Sequence, residues 1–279
     1  MPLDTTDHDR GSAGLEYVYP VVSRRSGGVS VGVNLNPNKA CNWRCVYCQV
    51  PGLSFGKGPP IDLERLRAEL AGFLRRASAP AWLEEHAPAG ARRLTDVAVS
   101  GDRIHTSSPD FAAAVDAVGS VLGELALALP VVLITNGSLV QRREVRRGLE
   151  RLAALDGTVW FKIDSATEAG QRAVNSAAIG PERTLANLAA CARLCRTWIQ
   201  TCVFRRGGAE PAPAELDAYI ELLRSARAQG IALEGVQLYG LARPSHQPEA
   251  AELEPLPRSW MDEFARRIER AGLRVRSHA

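Results

Sequence analysis

The sequence has no run of about 18 apolar residues, the length a membrane-spanning helix requires, so no transmembrane helix is indicated. Its first residues, "MPLDTTDHDRGSAG", are polar and lack the apolar core of a signal peptide. A cytoplasmic location is therefore expected, where thiols stay reduced and a structural disulfide is disfavoured. Neither sign of charge is in large excess: 34 basic residues stand against 31 acidic ones, a net charge of +3. That balance does not by itself argue for a nucleic-acid partner; RNA is permitted but not indicated. Lysine is nearly absent, confined to Lys39, Lys57 and Lys162, and the excess of arginine and alanine reads as the composition of a GC-rich genome. The basic cluster "RREVRRGLER" (142–151) alternates about Val145 and Leu149, as the solvated face of a helix does. Internal repeats and low-complexity tracts are absent as well.

What is present is a strand followed by a helix, several times over. "GVSVGVNLN" (28–36), "TDVAVS" (95–100), "VVLIT" (131–135), "TVWFKID" (158–164), "WIQTCVF" (198–204) and "GVQLY" (235–239) are short β-branched runs bounded by turn residues. They predict strands covered on both faces. Between them lie amphipathic helices. Leu63, Leu66, Leu70, Phe73 and Leu74 share a face behind "PPID", which supplies an Asp cap. Phe111, Val115, Val118, Leu122 and Leu125 share another, as do Leu216, Ile220 and Leu223, and Trp260, Phe264 and Ile268. Alternation of this kind gives a parallel sheet with right-handed crossovers. Six units fall short of the eight of a closed barrel. The expected fold is a single-domain α/β protein, an open partial (β/α)6 TIM-like barrel, with a doubly wound sheet as the alternative. Residues 1–27 form an N-terminal extension, 28–245 the core barrel, and 246–279 a C-terminal helix and tail packing on it. Residues 77–93 lengthen the first crossover and are expected to be an insertion or lid.

The chemistry concentrates in "NPNKACNWRCVYCQVPG" (36–52), where Cys41, Cys45 and Cys48 are spaced C-x3-C-x2-C directly after the first strand. A tetrahedral zinc site wants a fourth soft ligand, and none is near; His8, His86, His105, His246 and His278 are scattered. A four-iron cluster held by three thiolates leaves one iron open to an outside ligand. The loop leaves the C-terminal end of a strand, where parallel barrels keep their chemistry. Cys191 and Cys195 follow Leu188 on an apolar helix face starting near Pro181, and Cys202 lies in a strand. These three read as buried structural thiols.

"CNWRCVYC" resembles the signature of the radical S-adenosylmethionine (SAM) superfamily, and the segment 16–50 as a whole resembles an uncharacterised branch distantly similar to the tRNA wyosine-forming enzymes. "LITNGS", "VWFKIDSAT", "AVNS" and "GVQLYGLARPS" stand in the order that branch would place them, so the similarity covers roughly residues 15–245. The resemblance implies a [4Fe–4S] cluster on Cys41, Cys45 and Cys48, with Tyr47 as the aromatic residue near the adenine of SAM. It implies that the cluster binds SAM at its free iron and cleaves it to a 5′-deoxyadenosyl radical, which takes a hydrogen from an unknown substrate. A reductant protein such as flavodoxin or ferredoxin would supply the electron.

By the same resemblance Thr135 and Asn136 face the SAM pocket, although Asn136-Gly137 also suits a plain turn. Asp164 and Ser165 would meet the ribose hydroxyls, with Lys162 pairing a carboxylate, because charges this deep in an apolar strand need partners. Gln200 and Tyr239 would line the adenine end, and Arg243 the mouth. Similar proteins carry Ser-Gly-Asp-Gly-Glu-Pro-Thr where this chain has Ser100, Gly101, Asp102, Arg103, Ile104, His105 and Thr106. The glutamate that holds the SAM amino group is missing. Asp102, of matching strand parity, is the expected substitute beside Gly101. The alternative function, favoured by that altered segment, is a catalytically silent iron–sulfur protein that binds a partner or relays electrons. A zinc-binding module is weaker than both.

Overall fold

The computed structural model describes residues 3–4, 13–99 and 108–278. The chain enters through β1 (Val18–Ser23) and β2 (Gly28–Val33), passes two short strands, β3 (Ala40–Cys41) and β4 (Ser54–Phe55), and reaches α1 (Leu63–Ala77) and α2 (Pro80–His86). Strands and helices then alternate: β5 (Leu94–Val99), α3 (Phe111–Glu124), β6 (Val131–Thr135), α4 (Arg143–Ala154) and β7 (Thr158–Lys162). The second half runs α5 (Glu168–Asn175), α6 (Pro181–Leu194), β8 (Arg196–Cys202), β9 (Arg205–Arg206), α7 (Pro213–Ala228) and β10 (Gly235–Tyr239). It ends with β11 (Leu253–Glu254), α8 (Arg258–Arg270) and β12 (Val275–His278).

One eight-stranded sheet, ordered β1-β2-β5-β6-β7-β8-β10-β12, curls into an open half-barrel. All six strands expected from the sequence are in it, and all pair in parallel. Two further strands extend the edges. β1 pairs antiparallel with β2, Val18 opposite Val33 and Ser23 opposite Gly28. It carries Pro20, which lacks an N–H and suits an edge strand. β12 pairs in parallel with β10, Val236 beside Val275.

The two faces of the sheet differ. Helices cover the outer face, where Val31, Val33, Val97, Val99, Leu133, Val159, Phe161, Ile199, Val236 and Leu238 join the main core. Burying each such side chain contributes about 1.5–3 kcal/mol. The alternate residues face inward and are not uniformly apolar: Ser30, Asp96, Lys162, Gln200, Cys202 and Tyr239 line an interior cavity. The strands are covered on both faces, as expected, but on the inner side the residues form a polar stripe two positions apart, which Val, Ile and Trp at neighbouring positions mask in the sequence.

Local signals hold where they were specific. Asp62 caps α1, its carboxylate accepting from Arg65 N (2.9 Å). In α4, Val145 and Leu149 are buried while the arginines between them are exposed. α6 starts at Pro181 and buries Leu188 and Cys191, but stops at Leu194, so Cys195 is its extended C-terminal cap rather than a helical residue. Residues 77–93 do not form a lid. They hold α2 and a single 3-10 turn at the N-terminal ends of the strands, with Val29 N bonded to Arg93 O (2.8 Å). A crossover's return from helix to strand must fall at that end, opposite the cysteine loop.

Candidate active site

Cys41, Cys45 and Cys48 lie on the loop after β2, at the C-terminal ends of the parallel strands, and line one cavity with Tyr47, Lys162, Gln200, Cys202 and Tyr239. Several polar contacts set the loop's path. Asn36 N donates to Asn34 Oδ1 (3.0 Å), and Asn36 Nδ2 donates to Ala40 O (2.9 Å). Lys39 takes a left-handed conformation (φ 57), and Ala40–Cys41 then pair with Ser54–Phe55. From the far side of the barrel, Arg44 N donates to Asn175 O (3.0 Å) and Val46 N to Val174 O (2.9 Å). Ser245 Oγ donates to Val46 O (2.6 Å), and Gln247 Nε2 to Val50 O (3.1 Å). A two-pronged pair of Arg44 with Glu249 (2.6 and 2.7 Å) completes the frame and holds the Glu249 carboxyl below the usual range.

None of the six cysteines is in a disulfide. Among the described residues no three His, Cys, Asp or Glu side chains form a single-ion metal cage. The donor set nonetheless suits a wider cluster. The backbone N–H of Trp43 donates to Cys41 Sγ (3.3 Å), and Asn175 Nδ2 to Cys45 Sγ (3.1 Å). Amide donors on sulfur are the contacts that stabilise cluster thiolates and tune their potential. Deeper in the cavity, Gln200 is 1% exposed and its Nε2 has no hydrogen-bond partner. A buried orphan donor of this kind costs about 1–3 kcal/mol and fits a polar ligand that would accept from it. The residues present therefore fit both a thiolate-bound cluster and an organic ligand in front of it.

Behind this wall runs a buried polar chain. Lys162 Nζ donates to Tyr47 Oη, to Tyr239 Oη (3.1 Å) and to Asp164 Oδ1 (3.3 Å). Tyr47 Oη donates to Asp164 Oδ2 (2.5 Å), which also accepts from Asn175 Nδ2 (2.8 Å), while Cys202 N donates to Asp164 Oδ1 (3.0 Å). The Lys162 and Asp164 side chains are 1% and 0% exposed, so each neutralises the other in a low-dielectric interior.

The residues singled out in the sequence thus divide. The three loop cysteines, Tyr47, Gln200, Tyr239 and Arg243 come together around the cavity. Thr135, Asn136, Asp164 and Ser165 are not on its wall. Asn136 Nδ2 donates to Asn42 Oδ1 (2.9 Å) and so braces the cysteine loop. Thr135 Oγ1 accepts from Gly137 N (3.1 Å), at a turn where Gly137 has φ +66 and a Cβ would meet Phe161 at 2.0 Å. Ser165 Oγ donates to Glu215 Oε1 (2.6 Å). Burial pushes the Glu215 carboxyl up, but bonds from Ser165, Thr167 and two backbone amides more than offset it and hold the carboxyl low. Asn136, Asp164 and Ser165 border instead a crevice of about 10 Å³, room for one water, against about 170 Å³ for the main cavity. Gly101 and Asp102 lie outside the described residues.

Four residues at this site escaped the sequence reading. Cys202, read as structural, is buried but faces the cavity, two residues beyond Gln200 on the same side of β8. That parity was the available signal. Asn175 stands in the "AVNS" motif but carries no assigned role there, and Arg24 and Arg25 give no signal, since their positions depend on where β1 turns into β2.

No family model matches the chain. A solved structure of a radical SAM methyltransferase from Sphaerobacter thermophilus superposes with a TM-score of 0.62 at 13% identity, covering 100% of this chain and 77% of that one. One of TYW1 with a lysine–pyruvate adduct bound gives 0.58 at 14% identity, over 88% of this chain and 74% of that one. The fold is that of the radical SAM enzymes. Among curated proteins, the GTPase Obg of Brachyspira hyodysenteriae is 27% identical over 130 residues, 47% of this chain. The chain spans 17% of that relative's length, and the match assigns nothing to it. The radical SAM fold puts the cavity's cysteines at the end of the sheet where parallel α/β proteins carry their sites.

Proposed function

We propose that the protein is a radical SAM enzyme that carries a [4Fe–4S] cluster on Cys41, Cys45 and Cys48 and acts on a substrate in the barrel interior. The observation that carries this reading is the convergence of the three loop thiols on one cavity at the strands' C-terminal ends, with amide donors on two of the sulfurs. When bound and reduced, cluster and SAM together supply the radical that removes a hydrogen from substrate. The chain's own residues do the rest. Trp43 N and Asn175 Nδ2 stabilise thiolate charge at Cys41 and Cys45. Tyr47 is fixed by Lys162 and Asp164, and Gln200 offers its unmatched donor to a polar group of the ligand. Thr135, Asn136, Asp164 and Ser165 support that wall from behind. Asp102, next to Gly101, is proposed as the carboxylate for the SAM ammonium, a cation costly to bury unpaired.

The test is SAM cleavage. Protein purified without oxygen and given SAM with a strong reductant, or with a flavodoxin or ferredoxin, should release methionine and 5′-deoxyadenosine. Asp102→Ala should keep its iron but bind SAM more weakly. A complete cluster that neither binds nor cleaves SAM would instead support the silent iron–sulfur protein, which the missing glutamate of segment 100–106 favours.

A further inference from the structure

The strand laid over the first loop cysteine is exposed. β3 and β4 pair with Cys41 opposite Phe55, and Gly56 N donates to Cys41 O (3.2 Å). Neighbouring strands lie about 5 Å apart, so Phe55 stands one strand spacing from a residue that is itself buried. Ser54 and Phe55 are both exposed, and Phe55, at 65%, is the one exposed large hydrophobic among the described residues. A single exposed apolar side chain is ordinary. What sets this one apart is its company.

Two of the chain's three lysines stand beside it. Lys39 and Lys57 are exposed, and the backbone holds both next to Phe55. Ser54 N donates to Lys39 O (3.1 Å), and Asn38 Nδ2 donates to Lys57 O (3.1 Å). Residues 36–60 contain Lys39, Arg44 and Lys57 and no acidic residue. Arg44 is taken up by Glu249 (2.6 Å), so the two lysines carry the charge of the patch. An ammonium is a compact, hydrated point charge, suited to a passing electrostatic encounter rather than to a fixed fork.

The size of the patch decides what kind of partner it fits. One aromatic and two cations are too little for a permanent subunit, whose interface is large and apolar. Two lysines also make too few phosphate contacts to hold RNA firmly. Electron-transfer encounters use small, transient interfaces, and complementary charge brings their partners together. We propose that Lys39, Phe55 and Lys57 form the docking surface for a small acidic electron-carrier protein, which passes one electron across β4 to the cluster side of Cys41. The partner's reduced flavin or iron–sulfur centre loses one electron, the [4Fe–4S] cluster gains it, and no proton or group moves. The destination of the electron rests on the radical SAM reading above; docking of an acidic protein on the lysines does not.

The test uses the cluster-loaded protein without oxygen, with a purified acidic flavodoxin, an acidic ferredoxin and a single-stranded oligouridine as probes. In calorimetry at least one carrier should bind, about one per chain, and more weakly as salt rises. Lys39→Glu/Lys57→Glu should weaken that binding at least about tenfold and Phe55→Ser at least about fivefold, while Arg224→Gln on α7 leaves it unchanged. In stopped flow the same variants should slow bleaching of the cluster by the reduced carrier by similar factors. Their iron content and their reduction by dithionite should match the parent. Thermal melting of each variant separates lost binding from lost fold. The proposal is overturned if neither carrier binds, if the folded variants bind and are reduced as the parent is, or if oligouridine alone binds the patch. Lysine-dependent carrier binding in a protein that assembles no cluster, or whose dithionite-reduced cluster leaves SAM intact, would keep the docking surface and sink the radical SAM reading. Dithionite-driven SAM cleavage with carrier binding unaltered in every variant would do the reverse, so the two failures are distinguishable.

Discussion

The outer and inner faces of the same curled sheet follow different rules. On the outer face, Cys191 and Cys195 sit in the helix-covered core, and burial pushes their thiols up to about 12 and about 11. They stay protonated and inert at neutral pH. On the inner side, Cys41 and Cys45 receive amide hydrogens on their sulfurs, and the strand positions around them carry a lysine, an aspartate and a glutamine. The contrast teaches that a thiol's surroundings follow from where the fold puts it, in the helix-covered core or on the loop at the cavity, and not from how many cysteines the chain has. Outer positions reward volume and apolarity. Inner positions tolerate unmet polar groups, which is expected where a ligand completes the structure.

The largest way to break the comparison is through the buried ion pair. Asp164→Ala would leave the Lys162 ammonium buried without its carboxylate and should cost about 3–5 kcal/mol in urea unfolding. A loss below about 1 kcal/mol would mean that the inner face is wetter than its burial implies. On the outer face, Leu133→Ala should cost about 2–5 kcal/mol through the cavity it leaves, with no change in the affinity of the folded protein for SAM.

These two cases also mark what the sequence could disclose. The outer face was legible because Val, Leu and Ile at period two need only be apolar to be placed correctly. Cysteine spacing was legible because it is local. β1 and β12 were not: β1 carries a proline, and "VRSH" has no apolar run, so each is a strand only because a sheet edge is there to pair with. Asn175 meeting Cys45 across 130 positions of sequence, or Arg24 meeting Gly240 across 216, depends on the curl of the whole barrel and has no local signature.

A smaller effect, of opposite sign, is expected at Gln200. Gln200→Leu removes the orphan donor, so the ligand-free protein should gain about 1 kcal/mol in unfolding free energy while SAM binding weakens. Lost stability would show that Gln200 has an acceptor in the free protein. The smallest effect concerns acid. His278 has a folded pKa of about 4, below the usual His value, so between that value and about 4 the unfolded chain binds a proton that the folded one refuses. Stability should therefore fall as pH drops through that window, and His278→Gln should flatten the slope in pH-dependent melting. An unchanged slope would locate the acid sensitivity elsewhere.

The central claim is that Cys41, Cys45 and Cys48, and not the other cysteines, hold an iron–sulfur cluster. Iron and acid-labile sulfide per chain after anaerobic reconstitution test it most directly. The parent, Cys191→Ala and Cys202→Ala should each hold about four irons and four sulfides, and Cys41→Ala, Cys45→Ala and Cys48→Ala should each lose the intact cluster. Stoichiometric zinc in place of iron, or a full cluster in any of the three loop variants, would contradict the account.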